Sequence, residues 1–305
     1  MKRILFMLMV ALITMVTSVT SMIAAPVALA AQEGPAEQNA ERLAYDAKVK
    51  QIDTAVQAID DKFAVAVAKV SDKLRTAEAD GRLSQYSELS SKLERLLGEW
   101  NAAKDEYFQS IGYEKKVQEP EAGLMSTGPG NMTYSHSIYF PPGGGAGDPI
   151  LFTVIYSWLT DGDFLAGPRD YASIQITSPT WKVSQTSCST YNAQGSTGSS
   201  TVVLPNAPSN SGIVAYAGEE YFGPFGGKAE NFCFNEDTNA CMAQQVILKA
   251  YVKAESGSCQ GHASYLHAYN SGTLNISMDA YGNLTAGVGT TASTWTLSHP
   301  FVNLG

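Results

Sequence analysis

The chain has 305 residues, 44% of them hydrophobic and 16% charged, with a formal net charge of −9 at neutral pH. There is enough apolar material for a sizeable core. The acidic balance, with only five Lys and Arg after Pro120, argues against phosphate backbones and anionic headgroups as partners. Cations, neutral glycans and proteins remain.

The first residues place Lys2 and Arg3 ahead of an apolar stretch from Ile4 to Val16, and Ala28-Leu29-Ala30 is a small-x-small cleavage pattern. Residues 1–30 therefore read as a signal peptide, and the mature protein is expected in the periplasm or at the cell surface. A retained anchor is the alternative, because the apolar run nearly suffices to span a bilayer. No Cys near the cleavage site offers a lipid attachment, so no membrane insertion is expected once the signal is removed.

Residues 31–118 are rich in Ala, Lys, Glu, Asp and Leu. Tyr45, Val49, Ile52, Val56, Ile59, Phe63, Ala66 and Val70 alternate by four and three, which is a heptad seam. Tyr86, Leu89, Leu93, Leu96, Trp100, Ala103 and Tyr107 form a second one. Asp80-Gly81 between them is a turn, so the spacing predicts an antiparallel coiled-coil hairpin with helices over 39–79 and 83–111. The first helix is the longer. Its overhang must pack on the second half of the chain, join another copy through self-association, or fray. Trp100 and Tyr107 at seam positions read as core, and the charged faces, such as Asp60-Asp61-Lys62 and Lys92-x-Glu94-Arg95, read as solvated helix surface.

Near Pro120 the composition turns to Gly, Ser, Thr, Asn and Tyr, and residues 119–130, with two prolines and three glycines, read as a linker. Residues 131–305 hold about ten short segments with strand patterning. Among them are Met132 to Phe140, Ile150 to Leu159, Ala172 to Ile176, Thr180 to Val183, Thr201 to Leu204, Ile213 to Tyr216, Val246 to Lys253, Ala263 to Ala268 and Trp295 to Leu297. Thr273 to Asp279 and Asn283 to Val288 read as a hairpin with Leu274, Ile276, Met278, Leu284, Ala286 and Val288 inward. No crossover helix intervenes. The expected fold is α+β in separate domains, the hairpin followed by an all-β antiparallel sandwich of jelly-roll type whose outer faces meet solvent.

Four cysteines in an exported chain suggest disulfides, and the preferred pairs are Cys233 with Cys241 and Cys188 with Cys259. His262 and His267 lie five apart on a strand, hence on opposite faces, and no G-x-S-x-G elbow is present, so catalytic residues are not assigned. The weak enzymatic candidates are Glu219 and Glu220, adjacent acids amid aromatics that would suit glycoside hydrolysis only with a further carboxyl opposite. Asp161 and Asp163, and Asn235, Asp237 and Asn239, resemble fragments of calcium loops without the closing Glu of an EF-hand; calcium is the one cofactor they permit. Tyr216, Tyr221, Phe222 and Phe225 could stack on sugar rings. The residues together point to an exported non-catalytic interaction protein whose partner is a surface glycan or protein. A secreted carbohydrate-active enzyme and a subunit of a cell-surface layer or fibre are the alternatives.

Overall fold

The computed structural model describes residues 35–116, 132–144, 147–158, 170–178, 181–193, 195–196, 201–203, 228–234, 244–254, 257–268, 272–278 and 284–305. The chain falls into two units, Met1–Arg42 and Leu43–Gly305. In the first, residues 35–42 are helical. The second holds the remainder of that helix, a further helix and every described strand.

Helix α1 spans Pro35–Ala79 and α2 spans Leu83–Ser110. Gly81 closes α1 with φ +65°, a left-handed conformation that costs glycine nothing, and the Arg82 N–H donates to the Ala77 carbonyl at 2.9 Å. The turn folds α2 back along α1, so that Phe63, Val67, Val70 and Leu74 meet Leu89, Leu93 and Trp100.

Thirteen strands follow among the described residues. A first, six-stranded sheet runs in the order β1 (Glu114–Lys116), β2 (Met132–Phe140), β3 (Ile150–Trp158), β9 (Gln245–Lys253), β5 (Lys182–Asn192), β6 (Gly195–Ser196). A second, five-stranded sheet runs β13 (Thr294–Asn303), β10 (Gln260–Ala268), β4 (Asp170–Thr177), β8 (Lys228–Phe234), β7 (Thr201–Val203). Strands β11 (Ile276–Met278) and β12 (Leu284–Ala286) form a separate hairpin. Every pairing is antiparallel.

The period of two along a strand sends alternate side chains to opposite faces. On β3, Ile150, Phe152, Val154, Tyr156 and Trp158 face the second sheet, as do Val246, Leu248, Ala250 and Val252 of β9; they meet Ala172, Ile174, Ile176, Ala263 and Tyr265. At this layer Gly261 lets the sheets approach, since a Cβ there would lie 2.8 Å from the Phe152 ring. The intervening residues go the other way. Ile155, Tyr191 and Ile247 share a cluster with Phe63, Val67, Leu93 and Trp100, while Tyr139, Leu151 and Tyr251 share one with Tyr45, Val49, Ile52, Val56 and Phe108.

Two expectations change accordingly, and one left open is settled. The helices and the first sheet are not separate domains, because they share two apolar clusters. Along its central strands the outer face of that sheet does not meet solvent: β3 is buried along its whole length, and β9 as far as Val252. The overhang of α1 is resolved in the first of the three ways open to it, with Tyr45 to Val56 packing on the sheet. The β11–β12 hairpin forms, with Ile276 opposite Ala286; Leu274, Ile276 and Leu284 are buried as expected, whereas Ala286, also expected inward, is exposed. Val288, expected inward, is 99% exposed, because the strand stops at Ala286 and the chain turns at Val288 and Gly289.

Candidate functional site

The stripe Asp53, Gln57, Asp60 and Asp61 recurs at four, three and one residues, so a single face of α1 carries all four side chains. The short turn brings Trp100 and Lys104, one helical turn apart on α2, opposite Asp60. On the sheet, Lys249 lies between Ile247 and Tyr251 and opposite Ser187 of β5 and Thr153 of β3. These residues meet in a layer of polar groups between helices and sheet.

Asp60 is fully buried and lies 2.7 Å from the Lys104 Nζ, whose side chain is 1% exposed. The Trp100 indole N–H donates to Asp60 Oδ1 at 2.9 Å, and Lys249 Nζ stands 4.0 Å from Oδ2. Lys249 also donates to Gln57 Oε1 at 2.8 Å and pairs with Asp53 Oδ1 at 2.9 Å. The Tyr251 hydroxyl and the Gln185 amide donate to Asp53, each at 3.0 Å, and the Ser189 hydroxyl donates to Gln57 at 3.1 Å. Tyr191 donates to Asp61. Burial pushes the Lys104 ammonium below the usual lysine range, opposed in part by Asp60 and reinforced by Lys249 and Lys115. Burial likewise raises the phenols of Tyr251, Tyr191 and Tyr139 far above the usual value, with the acids Asp53, Asp61 and Asp105 adding to it. Asp60 is thus not solvated helix surface. A charged residue in the second half, Lys249, answers it from the sheet.

Beside this layer a cleft of about 420 Å³ opens between α2 and strands β2 and β3. Leu93, Leu97, Trp100 and Ile155 supply its apolar lining; Ser90, Glu94, Asn101, Thr133, Ser135 and Ser157 supply hydroxyls, an amide and a carboxylate. Glu94 and Ser135 are exposed at the surface, whereas Ser157 is buried and donates to Gln245 Oε1 at 2.6 Å. The size falls within the range of small-ligand sites. Among the described residues that line the cleft, Glu94 is the one ionisable carboxylate and none carries a cationic side chain.

The second sheet holds a smaller polar cluster. Asp170 accepts from the Tyr265 hydroxyl, lies 2.8 Å from His267 Nδ1 and accepts from the Ala268 N–H at 2.9 Å. Asp170 and His267 are at most 1% exposed, with the rings of Trp158 and Trp295 against the imidazole. So enclosed, the dyad ties the end of β4 to β10. His262 lies on the opposite face, as spacing requires, and stacks on Phe301. His299 Nε2 lies 2.8 Å from His136 Nδ1, a pairing that the sequence did not announce.

Tyr216, Glu219, Glu220, Tyr221, Phe222 and Phe225 lie outside the described residues, as do Asp161, Asp163, Asn235, Asp237, Asn239 and Cys241. Cys233 is on β8, opposite Tyr171 and Thr201. Cys188 and Cys259 both belong to the inter-sheet core. The expected bridge between them is not formed: Cys259 carries a free thiol, pushed up to about 12 by burial. In an apolar core a thiol packs as a small hydrophobe. No group of three or more potential metal-binding side chains occurs among the described residues. No helix among them is long and apolar enough to cross a membrane.

No protein-family model matches the chain, and no curated protein matches it. Part of it resembles solved structures. One is the T6 backbone pilin of serotype M6 Streptococcus pyogenes, 8% identical with a TM-score of 0.29, over 54% of this chain and 35% of that one. A second is ACE19, the collagen-binding subdomain of the Enterococcus faecalis surface protein ACE, at 6% identity and TM-score 0.25, over 55% of this chain and 92% of the other. A third is the collagen-binding domain of the Erysipelothrix rhusiopathiae surface protein RspB, at 10% and 0.21, over 54% and 44%. The chain thus spans about a third of the pilin's length. Likeness at this level carries no argument about function.

Proposed function

We propose that the protein is an exported, non-catalytic binding protein that takes a neutral glycan segment of a surface partner into the cleft between α2 and strands β2 and β3. The cleft carries this reading. Its lining offers what a sugar needs, apolar surface for the ring face and hydroxyl, amide and carboxylate groups for the hydroxyls, without a cation that would select an anionic ligand. The amino-terminal export signal and the acidic balance suit a partner outside the cytoplasm. The helical hairpin, in this reading, is one wall of the binding site as well as a spacer.

The test is binding of the purified protein to an array of neutral and acidic glycans, followed by titration of any hit against Asn101→Ala and Glu94→Ala. Each substitution removes one polar group from the cleft and should weaken binding about tenfold, the cost of a well-made hydrogen bond. Equal binding by both variants places the site elsewhere. Silence across the array removes the glycan and leaves a protein partner, to be sought by the same variants.

A further inference from the structure

Lys104 and Asp60 touch without pairing well. Nζ is 2.7 Å from Oδ1 and both side chains are buried, yet among the described residues neither Lys104 Nζ nor Asp60 Oδ2 has an aligned hydrogen-bond partner. A buried ion pair recovers its desolvation cost only when its geometry is good and the remaining protons and lone pairs are satisfied. Here that condition fails on both sides. Burial also favours the uncharged amine of Lys104, and an amine enclosed to this degree meets the carboxyl already in contact with it.

We propose that Lys104 Nζ and Asp60 Cγ join as an amide, a covalent cross-link between α1 and α2. The Nζ–Cγ bond forms and the Cγ–Oδ2 bond breaks. Oδ2 leaves as water, carrying two of the three protons that the Lys104–Asp60 pair holds between them; the third stays on the amide nitrogen. The reaction is a condensation and needs neither oxidant nor reductant. Oδ1, held by the Trp100 indole N–H at 2.9 Å, remains as the amide oxygen. Oδ2 faces Lys249, whose ammonium at 4.0 Å favours negative charge developing on the departing oxygen. Fixing the two groups in contact turns a bimolecular condensation into an intramolecular one. The charge balance fits as well, because removing Lys104 and Asp60 as a neutral amide leaves Lys249 paired with Asp53 at 2.9 Å.

Intact mass spectrometry of the denatured full chain decides the matter. Wild type should be lighter by one water than the mass calculated for its observed amino terminus, and after proteolysis the peptides holding Asp60 and Lys104 should run as one linked species. In Lys104→Arg, which keeps the cation but cannot form this bond, the water should be present and the peptides separate. A wild-type mass equal to the sequence mass overturns the proposal. So does a water loss that maps to the Asp80-Gly81 pair alone, where a cyclic imide would produce the same mass change without any link.

Discussion

Toward the second sheet, β3 and β9 present Phe152, Val154, Leu248 and Ala250, an apolar surface that requires no partner of particular chemistry. Toward the helices, the residues between them on the same strands include Lys249 and Tyr251, each satisfied by a particular acid or amide of α1. The first face is held by area and fit, and its contacts are interchangeable within limits of volume. The second is held by directional pairs in a low-dielectric layer, where a missing partner costs far more than a missing contact. Apolar burial brings the helices down onto the sheet; the polar stripe at Asp53, Gln57 and Asp60 fixes their position along it. The cleft, whose lining combines α2 with β2 and β3, depends on that positioning.

Alkaline pH should weaken the helix-facing side most. Tyr139, Tyr191 and Tyr251 on the helix-facing side, with Tyr45 of α1 and Tyr113 just after α2, all have phenols raised above the ordinary 10.0, Tyr45 to about 12. The folded chain then holds protons that the unfolded chain releases, so stability is intact below 10.0 and falls as pH rises past it. Denaturant unfolding across a neutral to strongly alkaline series measures this, and a flat profile would refute it. Asp60→Ala comes next, leaving the Lys104 nitrogen in the interior without the carboxyl group it contacts at 2.7 Å, with an expected loss of about 3–5 kcal/mol by denaturant titration. On the other face Leu248→Ala should cost about 2–5 kcal/mol, depending on how far the core closes over the cavity. Gly261→Ala should cost about 1–3 kcal/mol, since the added methyl must displace the Phe152 ring. If Leu248→Ala proves clearly worse than Asp60→Ala, the polar layer contributes less than the geometry indicates.

Much of the architecture could be read from the chain. Both helices, their Gly81 turn and the strands with apolar alternation follow from local pattern, with boundaries within a few residues except for β13, expected to end at Leu297 and running to Asn303. Strand β5 was anticipated only as far as Val183, because its continuation, Ser184 to Asn192, packs polar side chains such as Gln185 and Ser189 against α1 and so lacks an apolar rhythm. Strand β8 (Lys228–Phe234) was missed for a similar lack of alternation. The buried layer was illegible for a related reason. Asp60 looks like any surface acid of a charged helix, and its burial depends on Lys104 and Lys249, 44 and 189 positions away. One signal was available: the run of Asp53, Gln57 and Asp60 sits beside the seam residues Ile52, Val56 and Ile59, too near the buried side to be wholly solvated.

From Leu43 onward the helical layer and the two sheets should unfold as one cooperative body, since the helices share apolar clusters with the first sheet and the two sheets share another. Unfolding of the purified protein in denaturant, followed at once by far-ultraviolet circular dichroism for the helices and by tryptophan fluorescence, tests it most directly. Coincident transitions are expected, shifted together by Asp60→Ala. A helical signal lost at a separate denaturant concentration, with the tryptophan transition unmoved by that substitution, would contradict it.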